Sequence, residues 1–177
     1  TGMASVERAI SYNNFTYCDH SKELREDFRY FTPFKPLLDK TPALYIGVNS
    51  PSPQGTIPIY FSILPDGEDY RRPYEKEIAH QRILWEYSGK EGFNPLPVED
   101  GTIALKTSGF VRFSSPQDFS RAERFGENLF WIRASLLDGA YETSPRIAHI
   151  LINCVEGVNR VTIKNEILGA STGMPFQ

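Results

Sequence analysis

Along much of this chain bulky and polar residues alternate with a period of two, the signature of half-buried strands rather than of amphipathic helices. In GFVRFSS, residues 109–115, Phe110, Arg112 and Ser114 fall on one side and Val111 and Phe113 on the other. In NLFWIRASL, residues 128–136, Phe130, Ile132, Ala134 and Leu136 alternate against Trp131, Arg133 and Ser135. Each strand thus sets one aromatic on its more polar side. Such a face is either covered by a loop or laid against a neighbour.

Alternation or short apolar runs bounded by turn residues predict strands over Ala43–Val48, Ile57–Leu64, Arg82–Tyr87, Thr102–Leu105, Phe110–Phe113, Leu129–Leu136, Ile147–Val155 and Arg160–Ile163. About eight strands between turn signals predict an all-β fold of two packed sheets, a β-sandwich or jelly-roll-like arrangement. No apolar 3.6-residue stripe is sustained beyond about three turns, so helices are expected to be short at most. The stretch RILWEYSGKEGFNPLPVEDGT, residues 82–102, reads as a hairpin broken at Ser88 to Gly92 and again at Asp100-Gly101.

The remaining segments read as connections. Residues 1–42 are expected to form an N-terminal arm or strap, with a helix start at Ser21, Leu24 and Phe28 a turn apart, and a connection through Pro33, Pro36 and Pro42. Residues 43–165 are expected to be the sandwich domain, and residues 166–177 a linker-like tail at which a longer chain was cut. Residues 65–81 read as a polar loop, and Ser115-Pro116 with Phe119 and Ala122 as a short helix or turn.

Composition narrows the class. At 177 residues the chain fits one substantial core, and thirteen Gly, thirteen Pro and twelve Phe agree with short extended segments joined by turns. The net charge of -3 is scattered without a basic run, which argues against nucleic-acid binding. No stretch approaches the ~18 apolar residues of a membrane span, and the opening TGMASVERAI shows no signal-peptide h-region. Cys18 and Cys154 are far apart and outside any metal-binding pattern, so they read as small hydrophobes whose redox state is open.

The carboxylates Glu99-Asp100, Glu68-Asp69 and Glu86 are the raw material of a glycosidase, which needs two carboxyl groups roughly 5 to 9.5 Å apart across a cleft. Asp100-Gly101, however, is ordinary turn chemistry. His20, His80 and His149 lie in three unlike contexts, and no nucleophile elbow, phosphate loop or zinc-protease motif occurs. No catalytic residue, cofactor or metal is therefore assigned, although acidic loops such as Asp66 to Asp69 are of the type that holds calcium weakly. Trp85, Tyr87, Phe93 and Trp131, with Tyr141, Asn94 and Asp100 nearby in sequence, are the residues from which a sugar platform would be built. Their alternative is packing within and between sheets. Tyr70, Arg71, Arg72 and Tyr74 are the best candidates for protein contacts, since interfaces favour aromatic and Arg anchors.

Several phrases, taken together and in order, resemble a known family. ALYIGVNSPSPQGTIPIYFSI, LWEYSGKEGFNPLPVEDGTIALKTSGFVRFSSPQDF, LFWIRASL, SPRIAHILINCVEGVN and NEILGASTGMPFQ are similar to an internal region of large baseplate assembly proteins. These are the baseplate J-like wedge components of contractile phage tails and phage-tail-like injection systems. The residues that carry the resemblance are Ala43 to Val48, Trp85-Glu86-Tyr87, Phe93 with Pro95-Leu96, Asp100-Gly101-Thr102, Leu105 through Ser108-Gly109 to Phe113, Trp131-Ile132-Arg133, and Leu168-Gly169 to Gln177. Phe93 departs from the family's commoner Trp, and Met174 and Phe176 depart from its closing motif. The resemblance implies a non-catalytic structural and interaction domain whose partners are other baseplate subunits. It further implies assembly in the cytoplasm and residence in a phage or tail-like particle of prophage type. The competing expectation is a carbohydrate-binding, lectin-like module.

Overall fold

The alternation is realised as strands wherever one side of the chain meets a core. The computed structural model describes residues 4–35, 41–50, 55–65, 81–138, 141 and 143–154. They form eleven strands: β1 (Val6–Asn13), β2 (Thr16–Asp19), β3 (Ala43–Val48), β4 (Thr56–Leu64), β5 (Arg82–Gly89), β6 (Gly92–Pro95), β7 (Glu99–Asp100), β8 (Gly109–Ser114), β9 (Arg121–Arg124), β10 (Glu127–Asp138) and β11 (Arg146–Ile152). A seven-stranded sheet runs β2-β1-β3-β10-β5-β6 with β9 added on β10, and a four-stranded sheet runs β11-β4-β8-β7. Every pairing is antiparallel.

The two sheets enclose one core. The seven-stranded sheet contributes Ala9, Leu44, Ile46, Val48, Trp85, Ile132, Ala134 and Leu136; the four-stranded sheet contributes Ile57, Ile59, Phe61, Ile63, Val111, Phe113, Ile147, Ile150 and Ile152. Ile147 and Ile150 both reach the core, three residues apart, because β11 shifts register between Ile147 and His149 against β4. The fold is the expected all-β two-sheet sandwich, with eleven strands among the described residues rather than eight.

Residues 1–42, read as an arm, supply β1 and β2, and β1 pairs with β3 from Val6↔Val48 to Tyr12↔Ala43. The helix expected from Ser21 is a single 3₁₀ turn, Glu23–Arg25, after which the chain leaves helical geometry at Glu26. Leu24 packs against the core, but Phe28 is fully exposed with φ 64°. The strap that follows is anchored by Phe31, which bonds Ile147 in both directions at 3.0 and 2.9 Å. Asn13 fastens it further: its Nδ2 donates to the Pro33 carbonyl at 2.9 Å and its Oδ1 accepts from the Lys35 N–H at 2.8 Å.

One strand expectation is corrected. Thr102–Leu105 is not a strand but a turn in which Ile103, Ala104 and Leu105 all have positive φ, 53°, 54° and 58°. Asp100 holds it, accepting from the Thr102 N–H at 2.7 Å, the Thr102 hydroxyl at 2.5 Å and the Ala104 N–H at 3.3 Å. Of the short helix or turn expected after Ser115-Pro116, the structure shows the turn, which bonds the Phe119 N–H to the Pro116 carbonyl, with Ala122 already in β9. Cys18 and Cys154 are both free thiols. The expected strand Arg160–Ile163 and the tail 166–177 lie outside the described residues.

Candidate functional site

Trp131 shows why one outer face is special. Alternation along β10 turns Ile132 and Ala134 to the core and Trp131, Arg133 and Ser135 outward, yet Trp131 is 0% exposed. Gly47, directly across the ladder from Trp131, provides the seat. A Cβ on Gly47 would lie 2.9 Å from the indole Cζ3 and 2.8 Å from Leu129 Cδ1. The indole N–H donates to the Ala122 carbonyl at 2.9 Å, so β9 covers the ring. The hairpin tip adds Phe125, at 5.4 Å centroid distance and 71° to Trp131.

This covering hairpin turns at Phe125-Gly126 with φ 54° and 77°, the double positive-φ pattern of a type I′ turn. Gly126 suits its position; Phe125 takes a left-handed conformation that bulky residues rarely adopt. In return it meets Tyr45 at 5.2 Å and Tyr17 at 5.2 Å. Tyr12 lies 4.8 Å from Tyr17, and Tyr45 5.8 Å from Phe93. Ile10, Ala43, Tyr45, Leu129 and Trp131 are the buried floor of this second cluster. Consequently β3 is buried at all six positions, covered inside by the core and outside by aromatics.

Two guanidiniums enter the cluster. Arg133 lies 4.2 Å from the Phe93 ring centroid and 5.9 Å from that of Tyr45, within cation–π range. It forms a bidentate pair with Glu86, Nε to Oε2 at 2.6 Å and Nη2 to Oε1 at 2.7 Å. Burial alone would push the Arg133 guanidinium down; hydrogen bonds to Glu86 and Tyr45 outweigh it and hold its pKa above the usual value. Arg124 lies 4.6 Å from Phe93. The rim remains open: Tyr17 is 53% and Phe125 39% exposed. Burial is also the leading cause that raises the Tyr17 phenol above its usual pKa.

The four residues named for a sugar platform do not assemble. Trp85 and Tyr87 lie on the core side of β5, and Trp85 packs 5.8 Å from Phe61. Tyr87 meets Phe119 at 5.8 Å and donates to Asp118 Oδ1 at 2.7 Å. Phe93 and Trp131 join the opposite, outer cluster. Tyr141 is buried against Phe34 and donates to the Ala104 carbonyl at 2.6 Å; burial pushes its phenol well above its usual range. Asn94 donates to Asp118. Glu86 is bound to Arg133, and Asp100 to its turn. His149 sits opposite Ser62 in the ladder. Tyr70, Arg71, Arg72 and Tyr74, together with Asp66, Glu68, Asp69 and His80, lie outside the described residues.

Among the described residues no three His, Cys, Asp or Glu side chains gather as a metal site, and no helix is long and apolar enough to cross a membrane. Trp131 and Arg133 were visible in the sequence on the more polar side of their strand, and Phe93 as a candidate aromatic. Tyr12, Tyr17, Tyr45, Arg124 and Phe125 were not, because three separate segments bring them together; the Phe125-Gly126 pair was the only local signal. No protein-family model matches the chain, and no curated protein matches it.

Proposed function

We propose that this chain is a non-catalytic structural and interaction domain, and that it serves the baseplate of a contractile phage tail or tail-like injection system. The observation that carries the first half is the outer face of the seven-stranded sheet, where Tyr17 and Phe125 stand open beside Arg124. Aromatic and Arg side chains are what protein interfaces concentrate. Supporting it, the carboxylates Glu86 and Asp100 are each engaged in holding the fold. The second half is supported by the resemblance, whose phrases Trp85-Glu86-Tyr87, Asp100-Gly101-Thr102 and Trp131-Ile132-Arg133 coincide with the sheet scaffold and its clamped turn.

The test is an epitope tag on the chromosomal copy followed by immunogold microscopy of gradient-purified sheathed particles. Label at the baseplate end is the expected result; particles that carry no label overturn the assignment. A panel of soluble glycans titrated against acrylamide quenching of the isolated chain addresses the lectin alternative. Both indoles, 3% and 0% exposed, should quench weakly with or without glycan. Saturable protection by one glycan would favour the sugar-binding module instead.

A further inference from the structure

Two guanidiniums share the Phe93 ring, and one of them has no carboxylate partner among the described residues. Arg133 is matched by Glu86. Arg124 stacks at 4.6 Å, its Nε is closed to solvent without an acceptor, and it makes no hydrogen bond or ion pair among the described residues. The nearest acid by register is Glu127, directly opposite Arg124 across the hairpin. Its carboxylate is taken by Arg8 at 2.6 Å, which also holds Asp19 at 2.9 Å. Glu123 precedes Arg124 in β9 and alternates to the other side of the ribbon. Arg121, in the same strand, is satisfied, donating to the Asn128 and Asn49 carbonyls.

The unmatched cation stands next to exposed apolar surface. Phe125 follows it in sequence, 39% exposed, and Tyr17 lies 5.2 Å from Phe125 and is 53% exposed. An unpaired guanidinium pre-stacked on an aromatic ring, beside two open rings, has the make-up of an interface hot spot that waits for its counter-charge. The size of that counter-charge is also indicated. Arg8 faces two acids, Asp19 and Glu127, so the surrounding field disfavours a dianion such as phosphate and suits one carboxylate, which a planar guanidinium grips bidentately.

We propose that this corner of the seven-stranded sheet docks a partner protein through one acidic side chain that takes Arg124, with a neighbouring apolar side chain of the partner resting on Phe125 and Tyr17. The proposal rests on the interaction-domain reading, but not on the identity of the particle.

It is tested by ¹⁵N NMR of the Arg Nε–Hε resonances of the full chain. The probes are the capped tripeptide Phe-Glu-Phe, its Phe-Gln-Phe counterpart, inorganic phosphate and potassium chloride at matched ionic strength. The Glu peptide should move the Arg124 resonance saturably, with affinity at least about fivefold above the Gln peptide and falling as salt rises. Arg124→Lys, which keeps the charge and loses the planar fork, should weaken it, whereas Arg121→Gln should leave it unchanged. Equal responses to the Glu and Gln peptides, or to chloride alone, overturn the proposal. Tighter binding of phosphate overturns it in favour of a phosphorylated ligand, and self-association through the same residues, seen as a concentration-dependent Arg124 shift without peptide, overturns it in favour of a second copy. Failure here leaves the immunogold result untouched, so the two readings fall separately.

Discussion

His20 stacks flat on Phe31, 4.4 Å between centroids and 10° between planes, with Nε2 2.8 Å from the Ser11 hydroxyl. Burial is the first cause that lowers its pKa; Lys35 acts in the same direction, while Glu23 and Asp19 oppose. The folded protein therefore holds His20 neutral more firmly than the unfolded chain, whose imidazole takes up its proton near about pH 6.5. Below that pH the unfolded state binds more protons, so the contribution is full above it and is lost as pH falls toward the depressed folded value. Melting temperature followed from about pH 8 to about pH 5 should drop more steeply in the native chain than in His20→Gln. Parallel curves for the two proteins would show that His20 does not govern this window. Nothing in the sequence around Cys18-Asp19-His20 announced this role, because the ring that desolvates His20 is eleven residues away on the strap.

At the scale of elements, the sequence was most legible where a strand has an apolar side or is a short apolar run bounded by turn residues. Ala43–Val48 matches β3 to the residue, and β4, β5, β8, β10 and β11 were placed with small errors at their ends. β1 escaped because both of its faces carry mixed residues: Ala9, Ser11 and Asn13 inward, Ile10 and Tyr12 beneath the aromatic cluster. Thr102–Leu105 misled for the opposite reason, since Thr and Ile favour strands in isolation. Here the Asp100 carboxylate, the Thr102 hydroxyl and the Tyr141 hydroxyl over-determine a left-handed turn instead. Such a conformation costs roughly 1–2 kcal/mol per non-glycine residue, so two substitutions should act with opposite signs. Asp100→Ala removes three accepted hydrogen bonds and should destabilise by about 2–4 kcal/mol. Ile103→Gly, at a position 40% exposed, should stabilise by up to about 1 kcal/mol. Urea unfolding monitored by circular dichroism reads both, and loss of stability in Ile103→Gly would refute the strain account.

At the scale of the whole molecule, the outer aromatic cluster and the inner core make the seven-stranded sheet a three-layer object around β3. The sequence suggested a sandwich beginning at residue 43 with an arm before it; the ladder instead makes the first hairpin one wall of the sheet. Deleting residues 1–19 would therefore do more than shorten the chain. It would strip β3 of its β1 partner over its whole length, from Ala43 to Val48, while leaving Leu44, Ile46 and Val48 on one side and Ala43 and Tyr45 on the other in need of burial. An unpaired strand edge that is apolar on both faces is a template for intermolecular pairing. It would also remove Ile10, Tyr12 and Tyr17 from the cluster that covers Tyr45 and Trp131. The expected result is loss of the cooperative melt and of the near-ultraviolet aromatic signal, with most material sedimenting as aggregate. A truncated chain that stays monomeric in sedimentation velocity and melts cooperatively would show that residues 1–19 are an accessory strap after all. Peptide binding by such a chain would then separate the roles further, because Arg124, Phe93 and Phe125 remain when Tyr17 is gone, and only the apolar part of the proposed docking corner would be weakened.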